Sequence, residues 1–176
     1  QDTARIAGQH ARPRPADAHQ RLGRLARPLW PVRRRSAKIE QAGQPLVATA
    51  ALEEGLITPD HQIYCPGGAT FYGRFFKCHL SGGHGYLDLR HAIERSCNVY
   101  FYTLGNMLGV DKLHAWSEKL GLAGKSGIDL PNEIESIVPS TDWKRQRTGE
   151  KWYAGETISV SIGQGANLWT PLQLAA

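Results

Sequence analysis

The chain has little sulfur and no long apolar run. Its 176 residues include three cysteines and one methionine. No stretch of 18 apolar residues occurs, so the sequence given contains no helical membrane span. No secretory signal pattern is present either, so a membrane anchor is expected only in a longer parent. The cysteines form no Cys-x-x-Cys pair, which sets the chain apart from the common zinc-finger spacings. Gly163-Gln164-Gly165 lacks the GxxxxGK[ST] spacing, which argues against a phosphate-cradling loop. Aromatic residues are nearly missing from the first quarter, where Trp30 stands alone among residues 1–45.

Charge divides the chain at the same place. Residues 1–45 carry nine arginines and Lys38 against Asp2, Asp17 and Glu40, a net +7. The remainder holds 11 basic and 13 acidic residues, a net −2. The basic excess thus lies outside the part able to bury a core, and no nucleic-acid partner is expected of that part. With so few apolar residues, 1–45 is expected to be disordered or loosely helical. Its Arg-Ala-Pro-rich composition fits two readings: a genuine basic arm, or an out-of-frame stretch of GC-rich coding sequence. The expected organisation is therefore 1–45 as one segment and 46–176 as part of one domain.

From Leu46 the patterning becomes regular. Leu46 to Leu56 is expected to be an apolar helix stopped near Gly55. Ile57 to Lys77 is expected to be loop and hairpin, with Pro66-Gly67-Gly68 as turn chemistry. Helices are expected over Leu87–Ser96, Asn98–Leu108 and Val110–Leu120, the last with Leu113, Trp116 and Leu120 on one stripe. A short helix should start at Ser140-Thr141-Asp142. Thr157 to Gly165, rich in β-branched residues, predicts a β segment and a glycine turn, followed by a helix from Pro171.

The tripeptide Ser96-Cys97-Asn98 is the most informative motif. It puts a hydroxyl and a carboxamide two residues apart at the mouth of a buried helix, where both can face one cleft. Ser-x-Asn is also an ordinary helix cap. Its downstream company is more specific: Ser161-Ile162-Gly163-Gln164-Gly165, then Thr170-Pro171-Leu172-Gln173-Leu174-Ala175. Gly83-His84-Gly85, Gly127-Ile128-Asp129-Leu130-Pro131 and Lys151-Trp152-Tyr153-Ala154-Gly155-Glu156-Thr157 add to it. Over about residues 46–176 these motifs resemble the transpeptidase domain of class B penicillin-binding proteins, most of all the elongation-type members of rod-shaped bacteria.

The resemblance implies an α+β fold of the penicillin-binding protein and serine β-lactamase type, of which this chain holds mostly the helical part. It implies a parent D,D-transpeptidase at the periplasmic face of the inner membrane. Such an enzyme cross-links peptidoglycan stem peptides through a serine acyl-enzyme, binds β-lactams and works with the cell-elongation machinery. Three motifs share that chemistry in the family: Ser-x-x-Lys supplies nucleophile and base, Ser-x-Asn relays and positions, and Lys-Thr/Ser-Gly binds the substrate carboxylate. Ser96 is then the proton relay and Asn98 the positioning amide.

Two of the three motifs are not where the resemblance requires them. The Ser-x-x-Lys slot falls on Gln41-Ala42-Gly43-Gln44. Ser36-Ala37-Lys38 is one residue too short, and Pro45 is expected to break the helix there. Lys125-Ser126-Gly127 imitates the third motif but precedes Gly127-Ile128-Asp129-Leu130-Pro131, which points to a surface connection. This chain is therefore expected to be inactive.

Cys65, Cys78, His84 and Cys97 make a spaced Cys-x12-Cys-x5-His-x12-Cys set. Three thiolates and an imidazole suit a structural tetrahedral zinc. Alternatives are a Cys65–Cys78 disulfide, a buried apolar Cys97, or His79 in place of His84. A competing reading of the whole chain is a zinc-stabilised binding module whose basic arm meets RNA or a membrane surface.

Overall fold

The structure, a computed structural model, describes residues 42–129 and 131–175. Gln41, Ser36-Ala37-Lys38 and nearly all of the basic segment lie outside the described residues. Seven helices and four short strands are described: α1 (Gly43–Glu53), β1 (Ile63–Cys65), β2 (Gly68–Phe71), β3 (Arg74–Lys77), β4 (Gly85–Leu87), α2 (Leu89–Glu94), α3 (Asn98–Leu108), α4 (Val110–Lys119), α5 (Thr141–Thr148), α6 (Ala154–Val160) and α7 (Pro171–Ala175).

Helix α3 is apolar around most of its circumference, and such a helix must be buried on all sides. Val99, Tyr100, Phe101, Tyr102, Leu104, Gly105 and Leu108 are buried. It packs against α1, α4, α6 and strands β1, β2 and β3. Buried phenols need partners, and both have them: Tyr100 donates to the His61 carbonyl at 2.9 Å and Tyr102 to that of Lys77 at 3.3 Å. Burial, with Asp88 nearby, pushes the Tyr100 phenol up to about 12. The contact with α6 needs a small residue, because a Cβ on Gly105 would meet the Ser161 Cβ at 2.2 Å.

The strands form two antiparallel pairs. β1 pairs with β4, setting Cys65 opposite Gly85, and β2 pairs with β3 from Gly68↔Lys77 to Phe71↔Arg74. Helices beside small antiparallel sheets make the chain α+β, as expected.

Four local expectations differ from the structure. Thr157 to Val160 is helical, not β, within α6. Its β-branched side chains are overruled by tertiary packing: Thr157, Ile158 and Val160 are buried, and Ile158 and Val160 belong to the same core cluster as α3. Pro45 does not break α1, which begins at Gly43, before Leu46. Proline is tolerated there because first-turn N–H groups have no intrahelical acceptor. The segment from Leu87 divides between the end of β4 and α2, which starts at Leu89 where the Asp88 carboxylate accepts from the His91 N–H at 2.8 Å. On α4, Leu113 is buried, whereas Leu120 caps the helix end and is exposed.

Candidate functional site

The turn between α2 and α3 shapes the first cluster. The Ser96 N–H bonds to the Ile93 carbonyl at 3.1 Å and that of Cys97 to Ala92 at 2.9 Å, which ends α2 sharply. Ser96 takes a left-handed conformation with φ 50°, an uncommon state for a residue with a Cβ. Cys97 then caps α3 in extended geometry, and Asn98 opens the helix. Ser96 and Asn98 both face α1. The Ser96 hydroxyl donates to Gln44 Oε1 at 3.0 Å, and Gln44 Nε2 donates to Asn98 Oδ1 at 3.4 Å.

Gln44 is only 3% exposed, so its amide must find partners inside the protein. Behind it, a Cβ on Gly43 would meet the Gly163 nitrogen at 2.5 Å, so the Ile162-Gly163 turn backs the start of α1. The structure thus brings together Ser96, Asn98 and the last residue of the Gln41–Gln44 slot. Counting along the sequence located Gln44 in that slot, but not its bridge between Ser96 and Asn98. A carboxamide can orient a hydroxyl but cannot take its proton near neutral pH, so none of the three side chains in this cluster can act as a base. Lys125-Ser126-Gly127 lies in the connection between α4 and α5, where the Ser126 N–H bonds to Glu133 Oε1 at 2.6 Å.

The second cluster joins the strands to the same turn. Cys65 ends β1, Cys78 follows β3, His84 precedes β4 and Cys97 caps α3. Their Sγ atoms and one His84 nitrogen all lie within 4.8 Å of one another. Four ligands about 2.0–2.3 Å from one zinc ion sit roughly 3.5–3.8 Å apart in a tetrahedron. Cys78 Sγ and His84 Nδ1 are 3.6 Å apart, so the set fits with little adjustment. Backbone hydrogen bonds hold the frame: Cys78 N–H to Gly67 at 2.9 Å and His84 N–H to Cys65 at 3.0 Å. The His79 ring lies beside that of His84, tilted by 56° with centroids 5.0 Å apart, and its Nδ1 is 3.9 Å from Cys78 Sγ.

The electrostatics suit a cation. Burial, with His79 and Arg95 near, holds the His84 imidazole below its usual value, favouring the neutral form that ligates metal. Burial raises the Cys78 thiol, but hydrogen bonds from Leu80, Val99 and Asn98 outweigh it and the net shift is downward. The Cys97 thiol is driven strongly up by burial, then by the neighbouring Cys65 and Cys78. Three adjacent thiolates repel in a dry site, and a divalent cation relieves that repulsion.

Residues 44–176 match the family model of the penicillin binding protein transpeptidase domain. The chain belongs to that family. It is 41% identical over 134 residues to the peptidoglycan D,D-transpeptidase MrdA of Acinetobacter baumannii, covering 75% of this chain and 20% of the relative. A solved Pseudomonas aeruginosa PBP2, in complex with WCK 5153, superposes with a TM-score of 0.74 at 37% identity, covering 77% of this chain and 31% of that one. Helicobacter pylori PBP2 in complex with MreC gives a TM-score of 0.73 at 36% identity, covering 77% of this chain and 26% of that one. The fold is that of a penicillin-binding transpeptidase domain. The chain spans about a fifth to a quarter of the length of the first curated relatives it matches. Among its described residues no helix is long and apolar enough to cross a membrane.

Proposed function

We propose that this chain is a segment of a peptidoglycan D,D-transpeptidase in which the relay half of the active site is built and the acylating half is not. The hydrogen-bond chain Ser96–Gln44–Asn98 carries this reading. Ser96 is the proton relay and Asn98 the amide that orients substrate. Gln44 occupies the position of the lysine base, holding both side chains without being able to deprotonate a serine. In the parent, a serine acyl-enzyme forms on the stem peptide and passes to an amine of a neighbouring strand. The parent also binds β-lactams and works with the elongation machinery at the periplasmic face of the inner membrane, a reading supported by the kinship with MrdA and PBP2 proteins. The transpeptidase part takes in residues 46–176 together with Gly43–Pro45, which open α1 and bring Gln44 to the site.

Cys65, Cys78, His84 and Cys97 hold a structural zinc. When bound, the ion neutralises the thiolates and ties the strands to the turn that carries Ser96 and Asn98. The experiment is intact-mass spectrometry of the full chain after incubation with benzylpenicillin. An unchanged mass is expected. A stable covalent adduct would show that a nucleophile is present and overturn the assignment of Gln44 to a dead base position.

A further inference from the structure

Three thiolates and one imidazole are an ordinary donor set for a structural zinc, although carboxylate and imidazole can also ligate the ion. Sulfur adds one property that those donors lack: it can be oxidised. We propose that the cluster is an oxidation switch, in which a hydroperoxide converts Cys65 and Cys78 into a disulfide and expels the zinc. The proposal rests on the zinc reading given above.

Position favours this pair. All three cysteines are buried, Cys78 least completely, with the residue 6% exposed against 1% for Cys65 and 0% for Cys97, and its chain neighbours Lys77 and His79 are exposed. Cys65 and Cys78 flank one hairpin, where the Cys78 N–H is bonded to the Gly67 carbonyl at 2.9 Å. Their sulfurs already lie within 4.8 Å of each other. Cys97 caps α3 at the centre of the core and is the least able to move.

The steps balance. The Cys78 thiolate attacks one peroxide oxygen, the O–O bond breaks, and hydroxide (or alkoxide) leaves, giving a sulfenic acid. The Cys65 thiolate attacks that sulfur, the S–S bond forms, the S–O bond breaks and a second hydroxide leaves. Both leaving groups take protons from solvent. The thiolate pair has lost two electrons to the peroxide, and zinc, which does no redox chemistry, departs as the dication because only His84 and Cys97 remain to hold it. Cys97 is left as a free thiol between Ser96 and Asn98, so the active-site turn loses its tether to the strands.

The test uses the full chain, purified anaerobically, with zinc measured by elemental analysis before and after hydrogen peroxide. One zinc per chain at the start, its release into a colorimetric chelator, a mass loss of about 2 Da and one alkylatable thiol in place of three are expected, with that thiol on Cys97. Dithiothreitol plus Zn²⁺ should reverse the three changes. Zinc that stays bound with three thiols intact overturns the switch and leaves the zinc reading standing. A chain without zinc at the start overturns the zinc reading and the switch with it. A disulfide that includes Cys97 overturns the assigned pair. The double variant Cys65→Asp/Cys78→Asp keeps four donors but no oxidisable pair. It should retain zinc at a peroxide dose that empties the parent. Should that variant fail to fold, the thiol count on the parent decides alone.

Discussion

The helical part and the strand part of this chain are stabilised by different physics. Around α3, buried side chains from α1, α4 and α6 interlock, and packing alone accounts for the order. The strands are three or four residues long and pair only two by two. Isolated two-stranded pairs are marginal in water. The strand part joins the core of α3 through Phe76 and Leu87, through Phe71 and Phe76 against Tyr102, and at the meeting of Cys65, Cys78 and Cys97. A core needs volume and shape, whereas a small sheet needs a staple. With the proposed zinc bound, the chain would use one solution on each side of the Ser96–Asn98 turn.

The sharpest way to break the comparison is to remove the proposed zinc. Stripping zinc with a strong chelator should abolish amide-exchange protection across β1 to β4 while α1, α3 and α6 keep theirs. Uniform loss in both parts would mean that the cluster supports the core as well. The opposite perturbation is Phe101→Ala in α3. Phe101 is fully buried, and its truncation should cost about 3–5 kcal/mol in urea unfolding. Zinc stoichiometry should be unchanged in any folded fraction, because none of the four ligands depends on that ring for its backbone hydrogen bonds.

The same division decides what could be read from the sequence. The buried helix over Asn98–Leu108 was legible because a continuous apolar run after a capping signal has few alternatives. The ligand set was legible as spacing, and the structure brings its four donors together. Segment 157–160 was misread because Thr, Ile and Val favour strands locally, while burial against α3 is information held by residues far away in sequence. The role of Gln44 was illegible for a related reason. A glutamine beside a proline carries no signal until α1 and the 96–98 turn are folded against each other, and only then does its amide become a bridge.

A smaller test sharpens the packing side. Gly105→Ala pushes a methyl group into Ser161 and should cost about 1–3 kcal/mol as overpacking. Adding Ser161→Gly removes the obstructing Cβ, so the double variant should recover part of the loss even though it gives up the Ser161 hydrogen bond to the Ile158 carbonyl at 2.7 Å. Strict additivity, measured as a double-mutant cycle, would show that α3 and α6 do not meet at this point.

The smallest expected effect lies at the junction of the two parts. Asp88 joins β4 to α2, accepting from the His91 N–H at 2.8 Å and lying 2.7 Å from His91 Nδ1. Those two contacts, the backbone one first, hold its carboxyl below the usual carboxylate range. A carboxyl that is more acidic folded than unfolded favours the folded state wherever it is ionised. The contribution is complete above the unfolded value of about 3.9 and disappears as pH falls through the lower folded value. Asp88→Asn keeps an acceptor for the His91 N–H but does not titrate. Urea midpoints of parent and variant should therefore differ near pH 6 and draw together only as the pH falls below the lowered folded value. Because Asp88 is solvent-accessible, the difference should be small. A gap that persists in acid would mean that the carboxylate contributes shape rather than charge, and that the junction is held by the backbone turn alone.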